Sequence, residues 1–361
     1  MNIFINARFL SQPLTGVQRY ATEFVKALDN LIETGQIDKT KYSFVLLAPK
    51  NIKSKLNLKH IPIKKIGNLT GHLWEQLELP FYTKNSLLLC LCNTGAIFKR
   101  NQIVVIHDAQ VFALPQNYSF AFRWWYKLLF PILGHFIKKI ITVSSFSRSE
   151  LIKYCKFNPK KIQVIYEGKE HILSTTPDKS IFKKKIIGNK PYILAVSTMS
   201  KNKNFNTIVQ ALENIKQLDF DMLIVGGKNS NVFGQTQIAL PDFVKPLGYV
   251  SDGELRVLYE HASCFVYPSL YEGFGLPPLE AMACGCPVIV SNAASLPEVC
   301  GDAAIYCDPY SVEDIANKIE QLLADKNLQQ QMRLKGIERA KTFSWEKTAK
   351  KTCEIIEELI E

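Results

Sequence analysis

The chain has 361 residues, with 47% hydrophobic and 21% charged residues and a formal net charge of +11. This balance excludes a disordered or low-complexity chain, and the length predicts two domains of ordinary size. We see no apolar run long enough to cross a bilayer and no secretory segment, so we expect a cytoplasmic protein.

The charge is unevenly distributed along the chain. Residues 1–190 contain 29 Lys and Arg against 11 Asp and Glu, a net charge of +18, whereas residues 191–361 have 15 against 22, a net charge of −7. Such asymmetry indicates two halves that face different partners. The basic residues of the first half could simply provide solubility, or they could contact anionic lipid or nucleic acid.

The first half alternates predicted strands and helices. Strands are predicted at 2–7, 42–49, 87–92 and 102–108, and an amphipathic helix at 16–33. The strands are nearly continuous apolar runs, which is typical of a parallel sheet covered on both faces. A further strand and helix at 138–155, and a strand at 161–168, complete this half.

The domain boundary is predicted where the composition becomes polar, basic and rich in Pro and Gly. We predict a first Rossmann-like domain (1–170), a linker (171–190) and a second Rossmann-like domain (191–340). The remaining residues, 341–361, are expected to form a helix that packs back toward the first domain. The second half repeats the strand–helix rhythm, with one strand predicted at 221–227 and one long helix at 312–340. The predicted class is therefore α/β, with two doubly wound domains facing a central cleft.

Nine cysteines occur without any C-x-x-C pair; the tightest spacings are Cys90-x-Cys92 and Cys284-x-Cys286. We therefore expect reduced thiols, no disulfide framework, no metal and no other cofactor.

One stretch concentrates unusual chemistry. In YEGFGLPPLEAMACG (271–285), Glu272 and Glu280 bracket a loop with Gly273 and Gly275 that leads into a helix. Glu280 is predicted in the first turn of that helix, where alone it could simply compensate the helix dipole. Glycines, however, let backbone N–H groups approach a phosphate, and carboxylates accept from hydroxyls. Together they suit a ligand with both phosphates and hydroxyls, such as a sugar nucleotide.

This E-x7-E stretch resembles the signature of retaining glycosyltransferases of family 4, which have the GT-B fold, and in particular bacterial polysaccharide mannosyltransferases. The resemblance extends in order through much of the chain: LTGVQRYATEFVKAL (14–28), VVIHDAQ (104–110), ITVSSFSRSEL (141–151), VSTMSKNKNFNTIVQAL (196–212), LGYVSDGELRVLYEHASCFVYPS (247–269) and FSWEKTAKK (343–351).

The resemblance implies roles for the donor-binding residues. Glu272 would bind hydroxyls of the transferred sugar and Glu280 those of the ribose. The intervening backbone of Gly273, Phe274, Gly275 and Leu276 would contact sugar and phosphate.

The resemblance also implies a cationic site for the leaving diphosphate. Lys203 matches the family lysine, whereas Asn202 stands where many members have arginine, so Lys201 is a candidate replacement. From the first half, Gly16 would present backbone N–H groups to the diphosphate, and His107 would give the sugar a hydrogen bond. The implied mechanism is same-face attack, in which the leaving phosphate takes the acceptor's proton.

For the acceptor we predict contacts with Trp74, Glu75 and Gln76, although a helix that packs on its own domain explains these residues equally well. The segment 117–139 mixes aromatic and basic residues, which suits either a buried helix or peripheral contact with an anionic membrane.

The predicted activity is transfer of a sugar, with mannose from GDP-mannose as the first choice, to a lipid-linked or growing saccharide in polysaccharide or lipopolysaccharide synthesis. Transfer from a UDP- or dTDP-sugar and a GT-B sugar-nucleotide epimerase remain as alternatives. A basic nucleic-acid-binding protein is the non-enzyme alternative, but no usual module for it occurs, so no nucleic-acid partner is expected.

Overall fold

The computed structural model describes residues 2–38, 40–184, 186–188, 190–196, 201–215, 219–226 and 240–360. The chain divides into two compact units. The first unit consists of Met1–Gly168 together with Ser344–Glu361, and the second consists of Lys169–Phe343. The chain therefore passes between the units twice, and its last residues belong with its first.

The first unit is built on a sheet of seven parallel strands in the order β3-β2-β1-β4-β5-β6-β7. The strands are β1 (Asn2–Asn6), β2 (Ser43–Ala48), β3 (Ile63–Lys65), β4 (Leu87–Cys90), β5 (Gln102–Val105), β6 (Lys139–Thr142) and β7 (Ile162–Val164). Its α-helices are α1 (Gly16–Glu33), α2 (Gly71–Leu73), α3 (Leu79–Thr83), α4 (Gln110–Ala113), α5 (Phe120–Phe136), α6 (Ser145–Cys155) and the C-terminal α14 (Trp345–Ile360).

Short irregular helices complete this unit. A π-helical turn, Trp74–Glu78, joins α2 to α3, and 3-10 turns occur at Arg8–Ser11, Pro115–Asn117 and Pro159–Lys161. The C-terminal helix α14 packs against α1.

The second unit has six parallel strands in the order β10-β9-β8-β11-β12-β13. They are β8 (Tyr192–Val196), β9 (Asp221–Val225), β10 (Val244–Gly248), β11 (Cys264–Tyr267), β12 (Val288–Ser291) and β13 (Ile305–Cys307). The helices are α7 (Glu170–Ser174), α8 (Phe205–Glu213), α9 (Asp252–His261), α10 (Leu276–Ala283), α11 (Leu296–Cys300), α12 (Val312–Ala324) and α13 (Lys326–Ala340), with 3-10 turns at Lys179–Lys183, Lys201–Lys203 and Gly301–Ala303.

Both sheets have the Rossmann strand order, in which the direction of strand addition reverses beside the first strand. The predicted α/β architecture of two doubly wound domains is therefore confirmed. The core strands were predicted correctly because they are buried on both faces; all four residues of β4, for example, are buried. The predicted strand at 221–227 and the motif at 196–212 extend partly outside the described residues, at 227 and 197–200.

The edges and connections differ from the sequence prediction. The edge strands β3 and β10 were missed because both are short and only partly buried, and β10 contains Pro246. The long helix expected after residue 311 is two helices. It breaks at Asp325, whose carboxylate accepts hydrogen bonds from the N–H groups of Asn327 and Leu328 and so caps α13.

The segment predicted as a linker, 171–190, lies within the second unit. Arg256 of α9 donates from Nη1 to the carbonyls of Leu173 and Thr175, at 2.5 and 2.8 Å. A polar composition concealed this attachment, because the contacts are made by backbone carbonyls that a sequence does not distinguish.

Among the described residues, no helix combines the length and apolar character needed to cross a membrane.

Candidate functional site

The carboxyl edge of the second sheet brings together residues predicted to bind the sugar nucleotide. The strand order reverses between β8 and β11, and open parallel sheets bind ligands at such switch points. Lys203 lies on the 3-10 turn that follows β8 along the chain, and Glu272 lies in the loop that follows β11. The fold therefore places these two side chains on either side of the switch point.

Lys203 and Glu272 form a close ion pair. The Lys203 ammonium group lies 2.5 Å from Glu272 Oε1 and donates to the Tyr267 hydroxyl at 2.6 Å. Ser269 Oγ also donates to Glu272 Oε1, at 2.5 Å. Burial and the Glu272 carboxylate raise the pKa of Tyr267 well above its usual value, so its hydroxyl stays neutral at ordinary pH. The pair is thus held in a polar pocket with only a small exposed area.

The loop that carries Glu272 is fixed from two sides. On one side, buried Asn202 donates from Nδ2 to the Tyr271 carbonyl at 3.3 Å. On the other, Ser295 Oγ lies 3.0 Å from the Glu272 carbonyl and 2.6 Å from that of Phe274. Asn202, where family members often carry arginine, therefore anchors the loop here. Lys201 is exposed on the same turn, and its role toward the diphosphate stays a prediction.

The glycine loop ends at the start of α10. Gly275 has φ +109°, and a Cβ there would lie 2.7 Å from Leu296 Cδ2, so this position requires glycine. Two prolines follow at 277–278 and have no backbone N–H. Among the first three helical residues, Leu276 alone can present an N–H to an anion. Any further backbone donors must come from the loop itself.

Glu280 lies one turn deeper than predicted, at the fifth residue of α10 instead of in the first turn. Its carboxylate is 2.6 Å from His171 Nε2 through Oε1, and it accepts from the Tyr259 hydroxyl through Oε2 at 3.1 Å. All three residues are buried. Burial and the Glu280 charge raise the pKa of Tyr259 well above its usual value, so Tyr259 remains a neutral donor.

The first unit holds the other two predicted donor contacts. Gly16 is the first residue of α1, and a Cβ there would meet no atom within 4 Å, so the space around it is open within this unit. His107 follows β5 but is buried, with Nε2 3.0 Å from the Leu91 carbonyl and Nδ1 3.6 Å from Glu167 Oε1. Both ring nitrogens therefore face protein acceptors, and one must be released before His107 can donate to a sugar.

The predicted acceptor residues make hydrogen bonds to other groups of the first unit. Trp74 is fully buried, with Nε1 donating to the Ile66 carbonyl at 2.9 Å. Gln76 Nε2 donates to the Gly95 carbonyl at 2.9 Å, and its Oε1 accepts from the Ile97 N–H at 2.8 Å.

Glu75, the third predicted acceptor residue, is 1% exposed and receives four side chains: Asn6 Nδ2 (2.8 Å), Thr94 Oγ1 (2.9 Å), His72 Nδ1 (3.2 Å) and Arg8 Nε (3.3 Å). Burial raises the pKa of Glu75, but its hydrogen bond with His72 and the Arg8 charge lower it by more. In this structure Trp74 exposes no ring face to solvent, and the contacts of Trp74, Glu75 and Gln76 favour the packing-helix alternative. That these residues contact the acceptor stays a prediction.

Sequence reasoning missed several residues around the site. Tyr267 and Ser269 directly precede the E-x7-E stretch, and their position could have drawn attention to them. His171 is 109 residues from Glu280 along the chain, and no local pattern connects the two.

Solved structures share this fold. Sucrose-phosphate synthase from Thermosynechococcus elongatus matches with a TM-score of 0.75 over 99% of this chain and 98% of that one, at 21% identity. Anabaena Alr3699/HepE, solved in complex with UDP and glucose, matches with a TM-score of 0.75 over 99% and 100%, at 17% identity. Such identities establish the fold alone. The two sheets and these neighbours define an α/β protein of the GT-B fold.

Sequence comparison places the chain within a family. The model of the group 1 glycosyl transferases matches residues 177–339. O-antigen chain mannosyltransferase B of Escherichia coli is 34% identical over 261 residues, which cover 69% of this chain and 68% of that protein. The O-antigen chain mannosyltransferase RfbU of Salmonella typhimurium is 28% identical over 335 residues, covering 89% and 91%. The chain belongs to the group 1 glycosyl transferases and is a glycosyltransferase.

Proposed function

We propose that this enzyme transfers mannose from GDP-mannose to a lipid-linked or growing saccharide during synthesis of an O-antigen-type polysaccharide. The observation that carries the donor class is the Lys203–Glu272 pair beside Glu280 at the switch point of the second sheet. The choice of mannose rests on the relatives, two of which are named O-antigen chain mannosyltransferases.

The donor would lie along the E-x7-E stretch. Glu280 accepts hydrogen bonds from the ribose hydroxyls, and Glu272 accepts from hydroxyls of the transferred sugar. The backbone of residues 273–276 donates to the diphosphate between them. Glu272 already contacts Lys203, so the sugar hydroxyls bond to a carboxylate that is already buried and paired.

The proposed reaction retains the configuration at the anomeric carbon. The bond from that carbon to the diphosphate oxygen breaks, and an acceptor hydroxyl oxygen bonds to the same face. The leaving diphosphate oxygen takes the hydroxyl proton. Lys203 stabilises the negative charge that develops on the diphosphate, and the reaction balances without a cofactor.

A panel of nucleotide sugars tests the donor. At a hundred times its dissociation constant, a donor stabilises the folded state by about 2.7 kcal/mol, which for a unit of this size raises the Tm by about 5–10 °C. We expect this shift with GDP-mannose and a smaller one or none with UDP-, dTDP- and ADP-sugars. The matched control is Glu280→Ala, for which the GDP-mannose shift should disappear.

The same panel separates the alternatives. If only a UDP- or dTDP-sugar raised the Tm, that sugar nucleotide and not GDP-mannose would be the donor. Conversion of the donor to an epimer in the absence of an acceptor would identify an epimerase. If no nucleotide sugar raised the Tm, the donor site as a whole would be misassigned.

We also propose that the first unit contacts anionic membrane lipid. This unit contains 26 Lys and Arg against 14 Asp and Glu, whereas the second has 18 against 19, so the positive charge belongs to the first unit. Helix α5 is anchored by Tyr126, Leu129, Phe130 and Leu133, which are buried. Its outer face exposes an apolar row at four-residue spacing: Phe120, Trp124, Leu128 and Ile132.

A second exposed row lies on the neighbouring helical segment. Leu73, Leu77 and Phe81 are all more than 60% exposed and are also four residues apart. The segments are in contact, since the rings of His72 and Trp125 lie 5.0 Å apart. Lys127 is exposed and its ammonium group lies 5.7 Å from the centre of the Trp124 ring, so the apolar row of α5 has a basic residue beside it, which suits a membrane interface.

Vesicle flotation tests this contact. Vesicles with 30 mol% phosphatidylglycerol should bind the wild type, and Trp124→Ser with Leu128→Ser should lower the binding constant about tenfold, because two apolar side chains no longer enter the interface. The control pair is Tyr310→Ser with Leu334→Ser, which are exposed on the second unit. Equal binding by both double variants would contradict the assignment of this surface.

A further inference from the structure

His171 is not part of the family signature, yet it contacts Glu280, one of the two glutamates of that signature. It lies on α7, three residues after the chain leaves the first unit, in the segment predicted as a linker. Its Nε2 is 2.6 Å from Glu280 Oε1, and both residues are buried. Because a carboxylate oxygen only accepts, the imidazole must carry a proton on Nε2.

The structure fixes α7 and the residues that follow it, 175–178, against α9. Asp178 donates its N–H to the Gly253 carbonyl at 3.1 Å, and a Cβ on Gly253 would lie 2.6 Å from the Thr176 carbonyl. Arg256, one turn along α9, holds two further carbonyls of the segment. The same helix carries Tyr259, the second partner of Glu280. The two side chains that bond to Glu280, His171 and Tyr259, thus come from two helices that pack against each other.

With these two hydrogen bonds made, the Glu280 carboxylate can still accept from two more donors. An ionised carboxylate has about four lone-pair sites. His171 occupies one on Oε1 and Tyr259 one on Oε2, so among the residues that the structure describes each oxygen retains one site. Two vicinal ribose hydroxyls need that number, one on each oxygen. The fixed carboxylate avoids the entropy loss of ordering a free glutamate when the nucleotide binds.

We propose that His171 is a positioning residue for the nucleoside end of the donor: it orients Glu280 so that both carboxylate oxygens meet the ribose hydroxyls. The inference rests on the proposed function, in which Glu280 binds ribose. His171 touches neither the transferred sugar nor the diphosphate in this arrangement. Its loss therefore weakens donor binding and leaves the chemical step largely intact.

The test compares nucleotides with and without the ribose hydroxyls. Calorimetry measures the Kd of GDP and of 2′,3′-dideoxy-GDP, with the UDP pair in parallel. For the wild type we expect the dideoxy nucleotide to bind about 30-fold more weakly. His171→Ala should weaken GDP binding about 10- to 50-fold, the size of one hydrogen bond to a charged group, and change dideoxy-GDP binding less than about threefold.

Two further variants of His171 and one control variant separate a loss of binding from a loss of folding. His171→Gln retains an N–H donor at similar reach and should recover GDP binding to within about fivefold of the wild type. His171→Asn is too short to reach Glu280 and should behave like His171→Ala, which it replaces if the alanine variant does not fold. His261→Ala removes an exposed histidine of α9 and should bind both nucleotides as the wild type does.

Turnover gives a second readout. For His171→Ala the donor KM should rise in step with the GDP Kd, while kcat changes less than about threefold. Equal weakening of GDP and dideoxy-GDP would show a merely structural histidine, and no weakening would show no role; either overturns the inference while the donor site stands. If the wild type bound both nucleotides equally, the result would instead contradict the proposed contact between Glu280 and the ribose, and with it the proposed orientation of the donor.

Discussion

Lys203→Ala is expected to lower kcat for sugar transfer by about 10²- to 10³-fold, the usual loss when one group that stabilises developing negative charge is removed. In the structure the Lys203 ammonium contacts Glu272 at 2.5 Å, so it lies next to the residue proposed to hold the transferred sugar. The leaving diphosphate gains charge in the transition state, and Lys203 would be its main counter-charge. Transfer from labelled GDP-mannose, with GDP affinity measured separately, provides the check.

Controls separate catalysis from stability. Lys326→Ala removes an exposed lysine of the same unit and should leave kcat unchanged. Lys203→Ala also leaves the Glu272 carboxylate without its cation, so the variant should lose stability as well as activity. The double variant Lys203→Met with Glu272→Gln removes both charges and should regain stability but not activity. Wild-type kcat in folded Lys203→Ala would mean that another group carries the charge on the diphosphate.

Trp74→Ala is expected to lower the free energy of unfolding of the first unit by about 3–5 kcal/mol, because it leaves a large cavity in the core. Trp74 is fully buried among Leu79, Leu88, Val104 and Leu129. It also satisfies the Ile66 carbonyl through its indole N–H. Urea unfolding, followed by the fluorescence of the remaining tryptophans and by circular dichroism, measures the loss.

A neighbouring residue supplies the matched control. Leu77 lies three residues further along the same helical segment but is 63% exposed, so Leu77→Ala should change the stability by less than about 0.5 kcal/mol. Trp74→Phe should lose less than Trp74→Ala, since most of the volume is kept. A Trp74→Ala protein with wild-type stability and a raised acceptor KM would restore the stacking role that the sequence pattern suggested.

The Trp74 segment shows why some site residues resisted prediction. Trp, Glu and Gln in succession are typical of a sugar-binding surface, and the same letters fit a helix packed on a sheet. The choice depends on which way the helix faces, and here a π-helical turn at Trp74–Glu78 carries these side chains inward. His107 was hard to assign for a related reason. Its place at a strand end was predictable, but the acceptors that face its ring, the Leu91 carbonyl and the Glu167 carboxylate, lie just after β4 and β7.

The donor site was more predictable, because its residues are close in sequence. Glu272, the glycine loop and Glu280 lie within one loop–helix unit, so their spacing alone brings them together. Lys203 was found through a resemblance that depends on a second segment. The role of Asn202 emerged only with its bond to the Tyr271 carbonyl, which shows an anchor for the loop where a cation was expected.

The sequence by itself determined the α/β class, the core strands and the E-x7-E donor stretch, since apolar runs and short-range spacing express local physics. Tertiary structure decided what depends on distant packing. It placed residues 171–190 in the second unit, buried Trp74 and Glu75, bonded the half-buried Gln76 to the Gly95 carbonyl, and brought His171 to Glu280. The physical reason is that burial and hydrogen-bond partners are set by side chains a hundred residues away, whereas periodicity and spacing report only on neighbours along the chain.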